Sequence, residues 1–121
     1  MSKRILVVED QEDSRRILRD LPTSADYEIM EAVNGEEALT AAATQRPDLI
    51  LMDIQLPIMD GYEATRRIKA DPTLTHVPVI AVTSYALSGD EAKARAAGCD
   101  DFVPKPYSPR QLLAKIRQLL R

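Results

Sequence analysis

Five charged or hydroxyl-bearing side chains stand at the ends of short apolar runs: Glu9, Asp10, Asp53, Thr83 and Lys105. If the runs are parallel strands, these side chains meet at one edge of a sheet, because open α/β sheets bind ligands at the carboxyl ends of their strands. Three carboxylates gathered there would repel one another, and a hard divalent cation such as Mg²⁺ relieves that repulsion. The sequence therefore predicts a magnesium site.

Phosphoryl transfer is the chemistry that this set of side chains favours. A carboxylate beside Mg²⁺ is placed to attack a phosphorus atom whose charge the metal neutralises, and Asp53 is the candidate. Lys105 would supply a positive charge for the phosphoryl oxygens, and Thr83 a hydroxyl donor. Taken singly, these residues could be a helix cap, a solvated lysine and a turn residue. Their joint occurrence at strand ends favours the functional interpretation.

The apolar runs themselves are typical of strands in a parallel sheet. Residues 5–8, 49–52 and 79–82 are short and continuously apolar, as strands covered on both faces are. Residues 27–32 and 101–103 are weaker strand candidates, expected nearer the edges. Helical stretches lie between the runs, and four residues are predicted to cap them: Asn34, Asp60, Ser88 and Ser108. Five alternating strands and helices indicate a doubly wound α/β fold.

The end of the first helix is unusual. Ile17, Leu18 and Leu21 are expected to form its inward stripe, and Pro22 follows at once. A proline inside a helix costs ~3 kcal/mol, so we expect the helix to stop or kink near Leu21. Asp26 stands where a glycine would turn the chain most easily. If this turn is strained, two chains could exchange the first strand and helix, which suggests a homodimer swapped around Pro22.

Composition excludes several classes of protein. The chain has 121 residues, enough for a buried core, and its 16 basic and 19 acidic residues give a net charge of −3. No basic face indicates nucleic-acid binding, and no apolar stretch approaches the ~18 residues that span a bilayer. Cys99 is the only cysteine, which fits a reducing compartment. We expect one cytoplasmic domain over residues 1–121, with neither a nucleic-acid nor a membrane partner.

Five motifs resemble those of the response regulator receiver family. They are Val7-Val8-Glu9-Asp10, Leu51-Met52-Asp53-Ile54-Gln55-Leu56-Pro57, Met59-Asp60-Gly61, Val82-Thr83-Ser84 and Lys105-Pro106. The similarity extends from Lys3 to about Leu120. It implies a flavodoxin-like sheet with strand order 2-1-3-4-5 and a role in bacterial two-component phosphorelay signalling.

By this resemblance, Asp53 is the phosphoacceptor, and Asp10 and Asp53 ligate Mg²⁺ together with the backbone carbonyl of Gln55. Glu9 would act through a metal-bound water, and Lys105 would pair with the phosphoryl group. Mg²⁺ is the one cofactor implied. The protein would then be no enzyme in the usual sense, since it would catalyse only its own phosphorylation and slow dephosphorylation.

The resemblance also implies a conformational switch and its partners. Thr83 would move toward the phosphoryl group and the ring of Phe102 would turn inward, reshaping the face around the last two helices. Apart from the resemblance, the side chains of Gln55 and Tyr85 are expected to flank the mouth of the site, where they could tune phosphate lifetime or be plain surface groups. A sensor histidine kinase or histidine phosphotransfer protein would act upstream. Without an output domain, signalling would pass through contacts with a downstream target protein.

Several alternatives remain open on the sequence. The same receiver could be a phosphate sink or a relay intermediate. A flavodoxin-like binding module would need a phosphate-cradling loop where residues 9–13 are almost all acidic. An aspartate-based phosphatase usually carries a second acid two residues after its nucleophile, and Gln55 occupies that place. A receiver that signals without phosphate is disfavoured by the complete acidic set.

Overall fold

The computed structural model describes residues 3–23, 27–83, 90–104 and 108–120. Within these ranges five strands alternate with five helices. The strands are β1 (Arg4–Val8), β2 (Glu28–Ala32), β3 (Leu49–Asp53), β4 (Val79–Thr83) and β5 (Asp101–Pro104). The helices are α1 (Glu12–Thr23), α2 (Gly35–Gln45), α3 (Gly61–Ala70), α4 (Asp90–Ala97) and α5 (Pro109–Leu119).

The sheet has the predicted topology. All neighbouring strands are parallel, in the order β2-β1-β3-β4-β5. In this register Val8 pairs with Met52, and Asp53 pairs with Val82. The residues that follow these pairs, Glu9 and Thr83, therefore lie level with the end of β3 at the carboxyl edge.

Side chains on the two faces of the sheet form two separate cores, which explains the continuously apolar runs. In β1, Leu6 and Val8 belong to the core under α2, α3 and α4, whereas Ile5 and Val7 belong to the core under α1 and α5. All four side chains are fully buried. Because successive side chains of a strand point to opposite faces, a strand covered on both faces has no position for a polar residue until it ends.

Three of the four predicted caps are present among the described residues. The side-chain oxygens of Asn34, Asp60 and Ser108 accept a hydrogen bond from the backbone N–H three residues on, at 2.8, 2.9 and 3.4 Å. These bonds satisfy N–H groups that the first helical turn leaves without a partner. Ser88, the fourth predicted cap, lies outside the described residues. Gly98, with φ of 106°, follows the last residue of α4, a place where a left-handed backbone conformation commonly ends a helix.

Helix α1 ends at Thr23, two residues beyond Leu21 and one beyond Pro22, close to where the sequence predicts a stop. The expectation for Ile17 was wrong. Ile17 is 58% exposed, whereas Leu18 is fully buried. Neighbouring helical residues are about 100° apart around the axis, so the narrow contact with the core covers Leu18 and not Ile17. Asp26 lies outside the described ranges, and swapped dimerisation stays a prediction.

Among the helices described, none combines the length and apolar character that crossing a membrane would need.

Candidate functional site

Three carboxylates converge at the carboxyl edge of the sheet. One oxygen from each of Glu9, Asp10 and Asp53 lies within 4.8 Å of the other two. Asp53 is only 3% exposed, Glu9 is also buried, and Asp10 is half-buried. Such a concentration of negative charge away from bulk water is costly unless a cation compensates it. The structure thus brings together the three acids that the sequence placed in one site.

The donor set fits a hard divalent cation. Oxygens on opposite sides of Mg²⁺, each ~2.1 Å from the ion, are ~4.2 Å apart, so carboxylate oxygens within 4.8 Å of one another can share one ion, either directly or through its bound waters. All three donors are carboxylates, which suits Mg²⁺ better than the transition metals that favour His or Cys. The cluster could therefore bind Mg²⁺.

The turn that presents Glu9 and Asp10 is fixed through the backbone of Glu9. Its N–H donates to the carbonyl of Ala32 at the end of β2, at 3.0 Å. Its carbonyl accepts a hydrogen bond from the guanidinium Nη1 of Arg15, at 3.1 Å. Arg15 also donates through Nε to the carboxylate of Glu31, at 3.0 Å. The backbone N–H of Glu9 is thus hydrogen-bonded directly to β2, and its carbonyl is connected to β2 through the guanidinium of Arg15.

The loop that follows Asp53 is fixed by backbone hydrogen bonds. Ile54 N–H donates to the carbonyl of Val82 at 3.1 Å, which continues the β3–β4 pairing. Gln55 N–H donates to Oδ1 of Asp53 at 3.2 Å and thereby orients the carboxylate. Further on, Gly61 N–H returns to the carbonyl of Ile54 at 2.9 Å. The loop closes on itself beside the candidate phosphoacceptor.

Ile58 has a strained conformation at the tip of this loop. Its φ is 70°, and Met59 N–H donates to the carbonyl of Pro57 at 2.7 Å, which together define a γ-turn centred on Ile58. A positive φ is a genuine outlier for a β-branched residue. Ile58 is 75% exposed, so packing of its side chain does not offset the free-energy cost of this backbone conformation. Sequence reasoning missed this feature, because isoleucine is not a residue that signals a left-handed turn.

Two glycines let the loop pack tightly. A Cβ on Gly61 would lie 2.3 Å from the carbonyl oxygen of Asp53, and one on Gly35 would lie 2.6 Å from the carbonyl oxygen of Met59. Neither distance is possible for a real side chain. Gly61 was noted only as part of a motif, and its function becomes apparent from the close approach to Asp53.

The remaining predicted site residues are placed as follows. Thr83 is buried at the end of β4, one position beyond the strand partner of Asp53. Phe102 lies in β5 opposite Ala81, is partly buried and packs against the larger core. Gln55 is half-buried beside Asp53. Lys105 and Tyr85 lie outside the described residues, so their predicted roles are not tested by the structure.

Comparison with protein families identifies the chain. The model of the response regulator receiver domain matches residues 5–117. The chain belongs to this family. Receivers of this kind act in two-component signalling, which agrees with the acidic cluster at the carboxyl edge.

Relatives of the receiver agree in length and in fold. The polar-differentiation response regulator DivK of Brucella anthropi is 45% identical over 120 residues, which cover 99% of this chain and 98% of the relative. The crystal structure of the receiver domain of a sensor histidine kinase from Pseudomonas aeruginosa PAO1 is similar with a TM-score of 0.92 at 35% identity, covering 99% and 98% of the two chains. That structure has a magnesium ion coordinated in its active-site cleft.

A chemotaxis response regulator has the same fold at lower sequence identity. CheY4 of Vibrio cholerae has a TM-score of 0.92 at 26% identity, with 99% of this chain and 100% of the other covered. The flavodoxin-like binding module and the phosphatase that the sequence left open are disfavoured by the family assignment.

Proposed function

We propose that this receiver is a single-domain response regulator that accepts a phosphoryl group on Asp53 with the help of Mg²⁺. The convergence of Glu9, Asp10 and Asp53 within 4.8 Å is the observation that supports it most directly. Asp10, Asp53 and the backbone carbonyl of Gln55 would hold the ion, and Glu9 would reach it through a water. When bound, Mg²⁺ supplies positive charge that neutralises the phosphoryl oxygens.

In the transfer step, a carboxylate oxygen of Asp53 attacks the phosphorus atom of a phosphohistidine. A P–O bond to Asp53 forms as the P–N bond breaks, and the leaving imidazole keeps the electron pair and takes up a proton. The N–H of Gln55 holds Oδ1 of Asp53 during this step. Lys105 would pair with the transferred phosphoryl group, and its positive charge would stabilise the product.

Readout would use Thr83 and Phe102. Thr83 is the last residue of β4 and lies near the acceptor, so its hydroxyl could donate to a phosphoryl oxygen on Asp53. Its movement would open space for the ring of Phe102, which is only partly buried. The side chains of Gln55 and Tyr85 would tune how fast water reaches the acyl phosphate.

We further propose a cytoplasmic protein that signals through protein contacts. A sensor histidine kinase or histidine phosphotransfer protein would supply the phosphoryl group, and a target protein would recognise the phosphorylated form. Dimerisation by exchange around Pro22 is a separate hypothesis. Light scattering that gives a monomer at all concentrations, for both wild type and Pro22→Leu, would exclude it.

Intact-mass analysis tests the central assignment. The protein is incubated with Mg²⁺ and a small phosphodonor, and we expect a mass gain of one phosphoryl group that hydroxylamine removes, as it does from acyl phosphates. Asp53→Asn should abolish the gain, and chelation of Mg²⁺ should suppress it in wild type. Asp20→Asn is the matched control, since Asp20 is an exposed aspartate on α1 paired with Arg19. Labelling that persists in Asp53→Asn would refute the assignment.

A phosphate sink and an output regulator differ in what phosphorylation changes. An output regulator should bind its target more tightly when phosphorylated, and Thr83→Ala should reduce that gain while leaving labelling of Asp53 in place. A sink should show rapid phosphoryl exchange with its kinase and no target whose binding depends on phosphorylation.

A further inference from the structure

Arg15 lies next to the acidic site without belonging to the acidic set. It is on the first turns of α1, and its side chain is 19% exposed, which is low for an arginine. Through Nη1 it donates to the Glu9 carbonyl, and through Nε to Glu31 on β2. The planar guanidinium thus joins three elements, since α1 carries it and it binds Glu9, directly after β1, and Glu31, near the carboxyl end of β2.

The neighbouring Arg16 provides an internal comparison. Its side chain is 57% exposed and forms a 3.8 Å ion pair with Glu12 on the same helix. Such exposed pairs contribute little to stability. The two arginines carry the same charge at adjacent positions of α1, and it is Arg15 that donates to the Glu9 carbonyl.

We propose that Arg15 is a positioning residue for the magnesium site, which it serves by holding the Glu9 carbonyl and so fixing the direction of the Glu9 and Asp10 side chains. This inference rests on the proposed function, because it presumes that the acids bind Mg²⁺. Arg15 does not touch the ion or the reacting atoms. It acts on the metal ligands through the backbone that carries them.

Charge and positioning make opposite predictions for Arg15. A cation close to the site repels Mg²⁺, so removing the charge alone should tighten metal binding. Loss of the hydrogen bond from Arg15 to the Glu9 carbonyl should weaken metal binding, because mutation of residues that orient metal ligands typically lowers metal affinity ~10–100-fold. The sign of the change therefore separates the two effects.

The test is to measure the dissociation constant of Mg²⁺ by isothermal titration calorimetry. The unphosphorylated full chain is titrated as wild type, Arg15→Gln and Arg16→Gln. We expect Arg15→Gln to weaken binding about tenfold, the lower end of that range because the residue is partly exposed. Arg16→Gln should bind as tightly as wild type or more tightly. Urea unfolding of each variant without metal establishes that the fold is retained.

Arg15→Lys keeps the charge but not the planar fork, and it also remains informative if Arg15→Gln does not fold. It should weaken binding as well, because one ammonium cannot reproduce two donors of fixed geometry. In the amide NMR spectra of the metal-free proteins, Glu9 and Asp10 should shift in both Arg15 variants, whereas Met52 should not.

The outcomes are distinct. Weaker binding in both Arg15 variants, with Arg16→Gln unaffected, supports the inference. Binding by Arg15→Gln or Arg15→Lys that equals or exceeds that of wild type overturns it. If wild type itself does not bind Mg²⁺, the proposed function fails instead, and labelling of Asp53 reports on that independently.

Discussion

The two loops that build the acidic site are held in place by different means. The loop at residues 54–60, here called the acceptor loop, is fixed by backbone hydrogen bonds and by the close approach of Gly61 to Asp53. The turn at residues 9–11, here called the acid-pair turn, has a backbone bond from Glu9 to β2 and another from the N–H of Arg15 to the carbonyl of Gln11, and the guanidinium of Arg15 adds a side-chain bond to the Glu9 carbonyl. Close packing against Gly61, which has no side chain, helps to fix the acceptor loop, whereas the long side chain of Arg15 helps to fix the acid-pair turn.

This difference predicts how each loop responds to change. A Cβ at position 61 would lie only 2.3 Å from the carbonyl oxygen of Asp53, so the acceptor loop should be intolerant of substitution of Gly61. A charged hydrogen bond in a partly exposed place has a smaller energy that salt screens. Asp53, the candidate phosphoacceptor, is thus expected to be rigid in position, while the positions of Glu9 and Asp10 opposite it can be tuned by substitution at the surface.

The largest effect is expected for Gly61→Ala. The three nearest atoms to the new Cβ belong to the backbone of Asp53 and Ile54, at 2.3 to 3.0 Å, so the acceptor loop must move. We expect a loss of ~3 kcal/mol in the free energy of unfolding, the upper part of the range for overpacking, together with loss of Asp53 labelling. Urea unfolding and intact mass measure the two effects.

Gly35→Ala is the comparison variant. Its Cβ would lie 2.6 Å from the carbonyl oxygen of Met59, a milder overlap than the 2.3 Å at Gly61, and 2.8 and 3.0 Å from Cβ and Cγ of Met59, of which Cγ can rotate away. The stability loss should therefore be smaller than for Gly61→Ala. Wild-type stability and labelling in Gly61→Ala would show that the acceptor loop is not held by this contact.

A gain of stability is expected for Ile58→Gly. The φ of 70° costs an L residue ~1–2 kcal/mol, and glycine relieves that strain at an entropic cost of up to ~1 kcal/mol, so the net gain should be ~0.5–1 kcal/mol. Labelling of Asp53 should stay as in wild type, because the other attachments of the acceptor loop remain. Thermal unfolding with intact mass checks both.

Arg46→Gly is the matched control for this gain. Arg46 is the other non-glycine residue with positive φ among those described, at 49°, and it caps α2 away from the site. It should be stabilised to a similar extent. If Ile58→Gly instead slows labelling while Arg46→Gly does not, the strained turn itself has a function in positioning Asp53.

A double-mutant cycle on Arg15 and Glu31 measures the attachment of the acid-pair turn. The two side chains are partly exposed and 3.0 Å apart, so their coupling in the free energy of unfolding should be ~0.5–1 kcal/mol. It should fall as salt is raised from low to high concentration. The pair Arg16 and Glu12, at 3.8 Å and more exposed, should couple by no more than ~0.3 kcal/mol. Equal coupling in the two pairs would remove the distinction between the loops.

Sequence reasoning found the strands and the acids because both depend on local pattern. A parallel strand buried on two faces is a continuous apolar run, and the first polar residue after it must lie at the carboxyl edge. Asp53 and Glu9 follow from that rule alone. The caps at Asn34 and Asp60 are local too, since donor and acceptor are three residues apart.

What was missed depends on contacts between distant residues or on backbone angles. In the sequence, Arg15 is one of several arginines on a polar helix. Its function depends on a contact with Glu31, which is sixteen residues away along the chain. The strain at Ile58 is imposed by the closure of the acceptor loop and not by its own side chain. Ile17 was predicted to lie in the core, and it is exposed. Helical periodicity indicates which side of a helix faces the core, but not how wide the buried surface on that side is.

The smallest effect concerns the charges just beyond the acceptor loop. A hydrogen bond from Arg67 is the largest cause that lowers the pKa of Glu63, with Arg66 adding to it and burial opposing it. A carboxyl whose pKa is lower in the folded state contributes stability above its unfolded pKa of about 4.3, and that contribution is lost as the pH falls through the folded value. Wild type should therefore lose slightly more stability than Glu63→Gln between neutral pH and pH ~3, and Arg67→Gln should remove most of the difference. Because backbone contacts hold the acceptor loop, Glu63→Gln should label on Asp53 like wild type at neutral pH; slower labelling would show that charge on α3 also helps to fix the loop.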